Sequence, residues 1–397
     1  MITKDEFHQR RQLCLTKLDG AVGLVLAGDG APPLSGHWKP DAHFAYLTGI
    51  TDEPGAAVLF DPKNPDPSRR CILFLKPRNP ETEAWDGYRD PLTAALRART
   101  GFDAVLRTTL LPRFVSAAAR QRKRLACLHP LAVYEAPVSP DYAIFKKVAE
   151  RTPGLAIEDQ TDLIPRLRSL KSPAEVELLK QAVRATAAGY TRVRAEIRPG
   201  VAERHIQRTL ENAWAEAGGT GIGYNPIVGS GLRSTVLHYN ANSGSLAEGD
   251  MLLIDAACSV HGYCADVTRT FPVSGRFTPR QREIYALVLR ALRAATAAVR
   301  AGVFVHEVDE AARAVFREAG LEDFYIHGIG HQLGLEVHDA TPDGPLQAGM
   351  VITVEPGLYL PEERIGVRLE DDILVTNTGS ENLTASIAIE LADIEAA

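Results

Sequence analysis

The chain has 397 residues, of which 45% are apolar and 24% charged, with a formal net charge of −6. That length allows two domains with cores of their own, and a mildly negative globular composition carries no electrostatic footprint for nucleic acid. No apolar run approaches the ~20 residues of a membrane span, the first 18 residues lack the apolar centre of a signal peptide, and the five cysteines have no C-x-x-C spacing, so the expectation is a soluble protein of a reducing cytoplasm.

Residues 1–165 read as a smaller α/β domain. Thr3 and Glu6 have the spacing of a capping box opening an amphipathic helix. Val22–Ala27, Ala56–Phe60, Cys71–Leu75 and Leu125–Leu128 are short apolar runs bounded by Gly, Pro or Asp; they read as buried strands of a mixed sheet, with helices near 91–100 and 139–151. Gly28–Pro40 is a long loop signal ending in His37 and Trp38, and loops of such length are functional or disordered. Thr82–Gly87 sets Trp85 in turn-rich surroundings. For both tryptophans, packing is as good an explanation as a site.

The domain boundary falls within Asp162–Pro173, so residues 166–397 form the second domain. Ser172-Pro173-Ala174-Glu175 is a capping box with proline at the first helical position. Val176, Leu179, Val183, Thr186, Tyr190, Val193 and Ile197 then form one helical stripe, stopped by Pro199-Gly200. From here the chain nearly repeats itself. Ile197–Val201 returns as Val299–Val303, His238 as His338, Leu246–Gly249 as Leu346–Gly349, and Leu253–Asp255 as Thr353–Glu355. One unit of helices and strands has been used twice. Each half therefore supplies a histidine and a carboxylate at equal separation, 238 to 255 and 338 to 355.

The acids that close apolar runs are Asp255 (after Met251–Ile254), Asp266 (before Val267–Phe271), Glu355 (after Val351–Val354) and Glu370 (after Val367–Leu369). With Gly262 suited to a turn, Asp255 and Asp266 are expected on neighbouring strands of a hairpin. Any one of these acids could sit on the polar face of a half-exposed strand. Four related by a repeat are costly to bury without a cation. The remaining signal is His327–Asp339, with histidines at 327, 331 and 338. Gly328, Gly330 and Gly334 would each cost about 1 kcal/mol inside a helix, so the segment reads as extended and closely packed. Alone it fits a structural turn with surface histidines equally well. Four carboxylates and an imidazole make a hard, oxygen-rich site suited to two divalent ions, which can activate water and polarise a carbonyl. The further histidines, His238, His327 and His338, suit proton transfer and stabilisation of a tetrahedral intermediate. Cys258 and Cys264 read as buried strand residues.

The set Asp255, Asp266, His331, Glu355 and Glu370 resembles the metal ligands of the pita-bread metallopeptidases. Val354–Tyr359 and Val367–Asp372 are similar to the proline-specific branch, aminopeptidase P and prolidase, as are Tyr46–Gly49 and Glu83–Gly87 in the first domain. The resemblance implies an α+β pita-bread catalytic domain with an internal pseudo-twofold, preceded by a domain that limits substrate length and makes dimer contacts. It implies two ions, Mn²⁺ foremost with Co²⁺ or Zn²⁺ as alternatives. Asp255 would hold one ion, His331 and Glu355 the other, and Asp266 and Glu370 would bridge. By the same similarity His238, His338, His327, Glu355, Arg368 and Tyr359 act in catalysis, while His238, His338, Arg368, Trp38 and Trp85 meet substrate. A cytoplasmic homodimer hydrolysing Xaa-Pro dipeptides is expected, favoured by the compact chain and by a Gly28–Pro40 loop able to cover the site. An aminopeptidase P acting on longer peptides is the alternative, since Asn382–Ser386 resembles that branch. A non-catalytic pita-bread binding protein would lack the ligand set.

Overall fold

Six short strands rich in Val, Leu, Ile and Phe build the sheet of the N-terminal unit: β1 (Val22–Leu26), β2 (Ala57–Phe60), β3 (Cys71–Leu75), β4 (Ala104–Arg107), β5 (Arg124–Cys127) and β6 (Ala156–Asp159). A computed structural model describes residues 1–28, 38–131 and 137–395, which divide into units Ile2–Arg168 and Ser169–Ala397, Met1 being grouped with the second. The sheet order is β4-β3-β2-β1-β5-β6. β2 runs antiparallel to β1 and β3, and the other pairs are parallel, giving the mixed sheet expected. Leu24, Leu59, Ile72 and Phe74 pack one face against Val115, Ala119 and Phe145 from the helices Leu111–Arg122 and Pro140–Ala149. The edge strands β4 and β6 were not foreseen, because half-exposed edges need no apolar run.

Two expectations in this unit change. The stretch around Trp85 is not a turn but the helix Pro80–Asp86, started by Pro80 and by the Asn79 side chain, which accepts from the Glu81 N–H. Trp85 is 90% exposed on it. Residues 29–37, most of the Gly28–Pro40 loop with His37, lie outside the described residues, while Trp38 is half-buried.

The second unit shows the duplication directly. Helices Pro173–Arg194 and Glu203–Glu216 form one pair, Pro279–Ala298 and Val305–Glu318 the other. The first helix of each pair opens with a reciprocal capping box, Ser172–Glu175 and Thr278–Gln281, with proline at the first position. The strands of the first half are β7 (Gly221–Ile222), β8 (Ile227–Ser230), β9 (Met251–Asp255), β10 (Cys258–Val260), β11 (Tyr263–Cys264) and β12 (Thr268–Pro272). Those of the second are β13 (Val351–Val354), β14 (Gly357–Leu360), β15 (Ile365–Arg368), β16 (Asp371–Val375) and β17 (Ser380–Asn382). β9 pairs antiparallel with β12, placing Asp255 opposite Thr268, and β13 pairs likewise with β16, placing Val354 opposite Asp371. In each half one acid ends a strand and the other stands just before its partner. The direct hairpin expected between Asp255 and Asp266 is interrupted by the small β10–β11 hairpin, which turns at Gly262 with φ +86°. The halves are joined by the Glu370 N–H to the Thr268 carbonyl (3.1 Å) and the Thr270 hydroxyl to the Arg368 carbonyl (2.9 Å). Tyr190, on the first long helix, donates to the carbonyls of Ile254 (3.1 Å) and Val267 (2.7 Å), fixing the backbone next to both acids of its half. Among the described residues no helix is long and apolar enough to cross a membrane.

Candidate metal centre

The histidine segment lies alongside β13 as an extended strand-like stretch, because its backbone groups find their partners there. Leu333 N–H donates to the Val351 carbonyl (2.9 Å), Thr353 N–H to His331 (2.9 Å) and Glu355 N–H to Ile329 (2.8 Å). Gly330 permits this approach: its φ is +152°, and a Cβ there would stand 2.2 Å from the Thr353 carbonyl oxygen. The His331 N–H in turn donates to the Thr353 hydroxyl (3.0 Å).

That docking carries His331 to the strand-end acids. Asp266, His331 and Glu370 each offer a ligand atom, all within 4.8 Å of one another. His331 Nε2 is 3.5 Å from Asp266 Oδ2 and 3.5 Å from Glu355 Oε1. Its Nδ1 lies 3.0 Å from the Gln332 carbonyl, which can only accept. Nδ1 therefore bears the proton, and the Nε2 lone pair faces the acids, as a metal ligand requires. Asp255 receives the Tyr224 hydroxyl on Oδ1 and Arg368 Nη2 on Oδ2, both at 2.5 Å. Thr268 donates to Glu370 (2.6 Å) and Thr353 to Glu355 (3.2 Å).

Electrostatics show what the protein alone leaves uncompensated. Burial, then the charges of Asp255 and Glu355, hold the Asp266 carboxyl well above the ordinary carboxylate range. Burial, with Asp266, Glu355 and Asp255, does the same to Glu370. Glu355 is pushed up to about 7, by burial first. Burial lowers His331 to about 4, so its imidazole is neutral at physiological pH. A neutral imidazole with its lone pair turned towards four mutually repelling acids fits divalent cations. The cysteines turn elsewhere, Cys258 Sγ to the Ala182 carbonyl (3.3 Å) and Cys264 Sγ to that of Gly262 (3.7 Å), so no thiol competes for the role.

The other expected residues divide by place. Tyr359 donates to His327 Nε2 (2.8 Å) and accepts from Arg368 Nη1 (2.8 Å), a chain that runs on from Arg368 to Asp255. Burial lowers His327 to about 4 and pushes Tyr359 up to about 12, so both are neutral at physiological pH. His338 is exposed, its ring 4.1 Å from that of His331 at 62°. His238 is exposed on the loop between β8 and β9. Trp38 and Trp85 belong to the N-terminal unit.

Four participants escaped the sequence reading. Thr268 and Thr353 stand two residues from Asp266 and Glu355, a spacing that strand periodicity could have flagged. Tyr224, in the loop between β7 and β8, left no signal. Arg269 is 1% exposed, and every N–H of its guanidinium is used. Nε donates to the Ala388 carbonyl (3.1 Å), Nη1 to those of Thr268 (3.0 Å) and Glu370 (2.6 Å), and Nη2 to the Asp371 carboxylate (2.8 Å) and the Ile387 carbonyl (3.1 Å). It braces the backbone behind Glu370.

Comparison with known proteins agrees with this centre. Residues 177–377 match the model of metallopeptidase family M24, and residues 7–126 that of the aminopeptidase P N-terminal domain. The chain is 33% identical to the Xaa-Pro aminopeptidase of Escherichia coli K12, over 100% of this chain and 98% of that one. The solved structure of aminopeptidase P from E. coli with the inhibitor Pro-Leu superposes with a TM-score of 0.88 at 31% identity, covering 100% of this chain and 98% of that chain. Proline aminopeptidase P II from Yersinia pestis gives 0.87 at 30% identity, with 100% and 99% coverage. Strand-end acids, an inward-facing imidazole and a duplicated helix-and-strand unit thus coincide with a match along the whole chain: the protein belongs to metallopeptidase family M24, the pita-bread metallopeptidases, and is close to aminopeptidase P.

Proposed function

We propose that the protein is an Xaa-Pro aminopeptidase, releasing the first residue of peptides whose second residue is proline. What carries this reading is the cluster of Asp266, His331 and Glu370, with Glu355 against His331, in a chain that matches Xaa-Pro aminopeptidases over its whole length. A proline amide has no N–H, so peptidases that recognise that donor lose a contact and a dedicated pocket is needed. In this reading Asp255, Asp266, His331, Glu355 and Glu370 would hold two divalent ions, with Mn²⁺ suited to so oxygen-rich a set. Bound there, the ions supply water activation and polarisation of the scissile carbonyl.

The chain's own residues do the rest. In this reading His338 and His238, both exposed, meet the peptide and move protons. Neutral Tyr359, held between His327 and Arg368, presents a hydroxyl whose orientation is fixed on both sides. His338→Ala and His238→Ala should each lower kcat by about 10²–10⁴-fold, the usual worth of a positioned proton-transfer group. Metal content by elemental analysis should stay normal; loss of metal would make these residues ligands instead.

The dipeptide limit expected from the sequence has less support, because the matching relatives carry the aminopeptidase name. Comparing Ala-Pro with Ala-Pro-Ala separates the two. We expect the tripeptide to be cleaved at its Ala-Pro bond with the larger kcat/KM. Cleavage of the dipeptide alone would restore the dipeptidase reading.

A further inference from the structure

Glu203 opens the helix Glu203–Glu216 and is 0% exposed. Its Oε1 accepts from the Ser230 N–H (2.9 Å), the Ser230 hydroxyl (3.0 Å) and Arg233 Nε (2.7 Å). Its Oε2 accepts from the Gly244 N–H (2.7 Å) and the Tyr239 hydroxyl (3.0 Å). Five donors thus converge on one carboxylate. Burial alone would push its pKa up, yet Arg233 and the N–H groups of Ser230 and Gly244 leave it below the ordinary value.

The donors are not scattered. Ser230 ends β8, and Gly244 closes the excursion that follows; the Glu203 N–H also donates to the Gly244 carbonyl (2.9 Å). Both ends of the 231–244 loop are therefore tied to one residue, and Tyr239 ties its middle. His238, next to Tyr239, is exposed, so the backbone that carries it sets its position. Leu237 and Tyr239 pack with Ile227, Leu253 and Tyr359, and the Leu237 carbonyl accepts from Arg368 (3.4 Å), which anchors the same loop beside the metal ligands.

We propose that Glu203 is a positioning residue for the peptidase reaction: it closes the 231–244 loop into one shape and so fixes where His238 meets the substrate. This rests on the reading of His238 as a substrate-contacting group. The second half has another arrangement. The repeat shift of 102 relates Glu203 to Val305, which has no carboxylate. There Asp309 accepts from the Tyr325 hydroxyl (2.9 Å), while Arg313 pairs with Asp309 and donates to the His327 carbonyl (3.1 Å). Each half's second helix thus holds its own histidine segment.

The test is Glu203→Gln, which keeps the size but removes the charge facing Arg233 and sets an amide among donors. In the Mn²⁺-loaded protein, amide exchange across 231–244 should accelerate at least ~10-fold while that of β9 and β12 stays unchanged. Unchanged protection of the loop overturns the proposal. With metal content normal, kcat for an Xaa-Pro peptide should fall about 10²-fold, the cost of a small misplacement in a site. In a His238→Ala background the same substitution should change kcat less than ~2-fold, because its effect passes through that imidazole. A full loss there also overturns the proposal. If His238→Ala alone is fully active, the role given to His238 falls, and the exchange measurement still decides whether Glu203 holds the loop.

Discussion

Asp266→Ala is expected to lose both metal equivalents, not one, and with them peptidase activity by ~10³-fold or more, since a Lewis acid contributes several kcal/mol and each ~1.4 kcal/mol is a factor of ten. Asp266 lies within 4.8 Å of ligand atoms of both His331 and Glu370, and its carboxyl is held up by burial and by Asp255 and Glu355 from the two halves. In the proposed arrangement a group between the halves would serve both ions. Elemental analysis showing two full equivalents in the variant would sink the assignment of Asp266 as a bridge. EDTA should likewise abolish wild-type activity, and Mn²⁺ should restore it. Unfolding is a separate matter: deleting one of several repelling buried carboxylates relieves the metal-free protein, so its Tm should not fall.

Gly330→Ala should damage the fold and the metal centre together. Its Cβ would stand 2.2 Å from the Thr353 carbonyl oxygen and 2.5 Å from its hydroxyl, at a φ of +152° that side chains avoid. The obstacle includes backbone of β13 and cannot swing away. Overpacking of this kind costs about 1–3 kcal/mol, and the left-handed backbone adds to it. More important is direction. The only relief is to push the His331 segment off β13, and that separates His331 from Glu355, whose N–H is bound to Ile329 on the same segment. The variant should show a lower Tm and weakened metal binding together. A stable variant with normal metal content would mean that the segment can dock at a greater distance.

The parts legible from the sequence were those that declare themselves locally. An acid closing an apolar run, as at Asp255 and Glu355, marks a strand end, and Gly328, Gly330 and Gly334 rule out the helix that a His-x-x-x-His spacing suggests. The duplication was legible because two copies of one unit keep the same separation between histidine and acid. What stayed hidden depends on distant segments meeting. Tyr224 reaches Asp255 only through the loop that precedes β8, and nothing in its neighbours distinguishes it. Thr82–Gly87 reads as turn-rich surroundings for Trp85, whereas Asn79 and Pro80 start a short helix that Gly87 ends. Glu203 stands in the first turn of its helix, yet its carboxylate turns to a loop whose far end is Gly244.

Arg269 gives the centre a place in time. Two of its five bonds end on the carbonyls of Ile387 and Ala388, and another braces Glu370. On a ribosome, the five residues proposed to hold metal, from Asp255 to Glu370, are made before those two carbonyls are. Until then a guanidinium destined for burial lacks two of its five acceptors, and an unmet buried donor costs about 1–3 kcal/mol. A chain that stops short of residue 388 should therefore hold Glu370 less firmly than the full chain does.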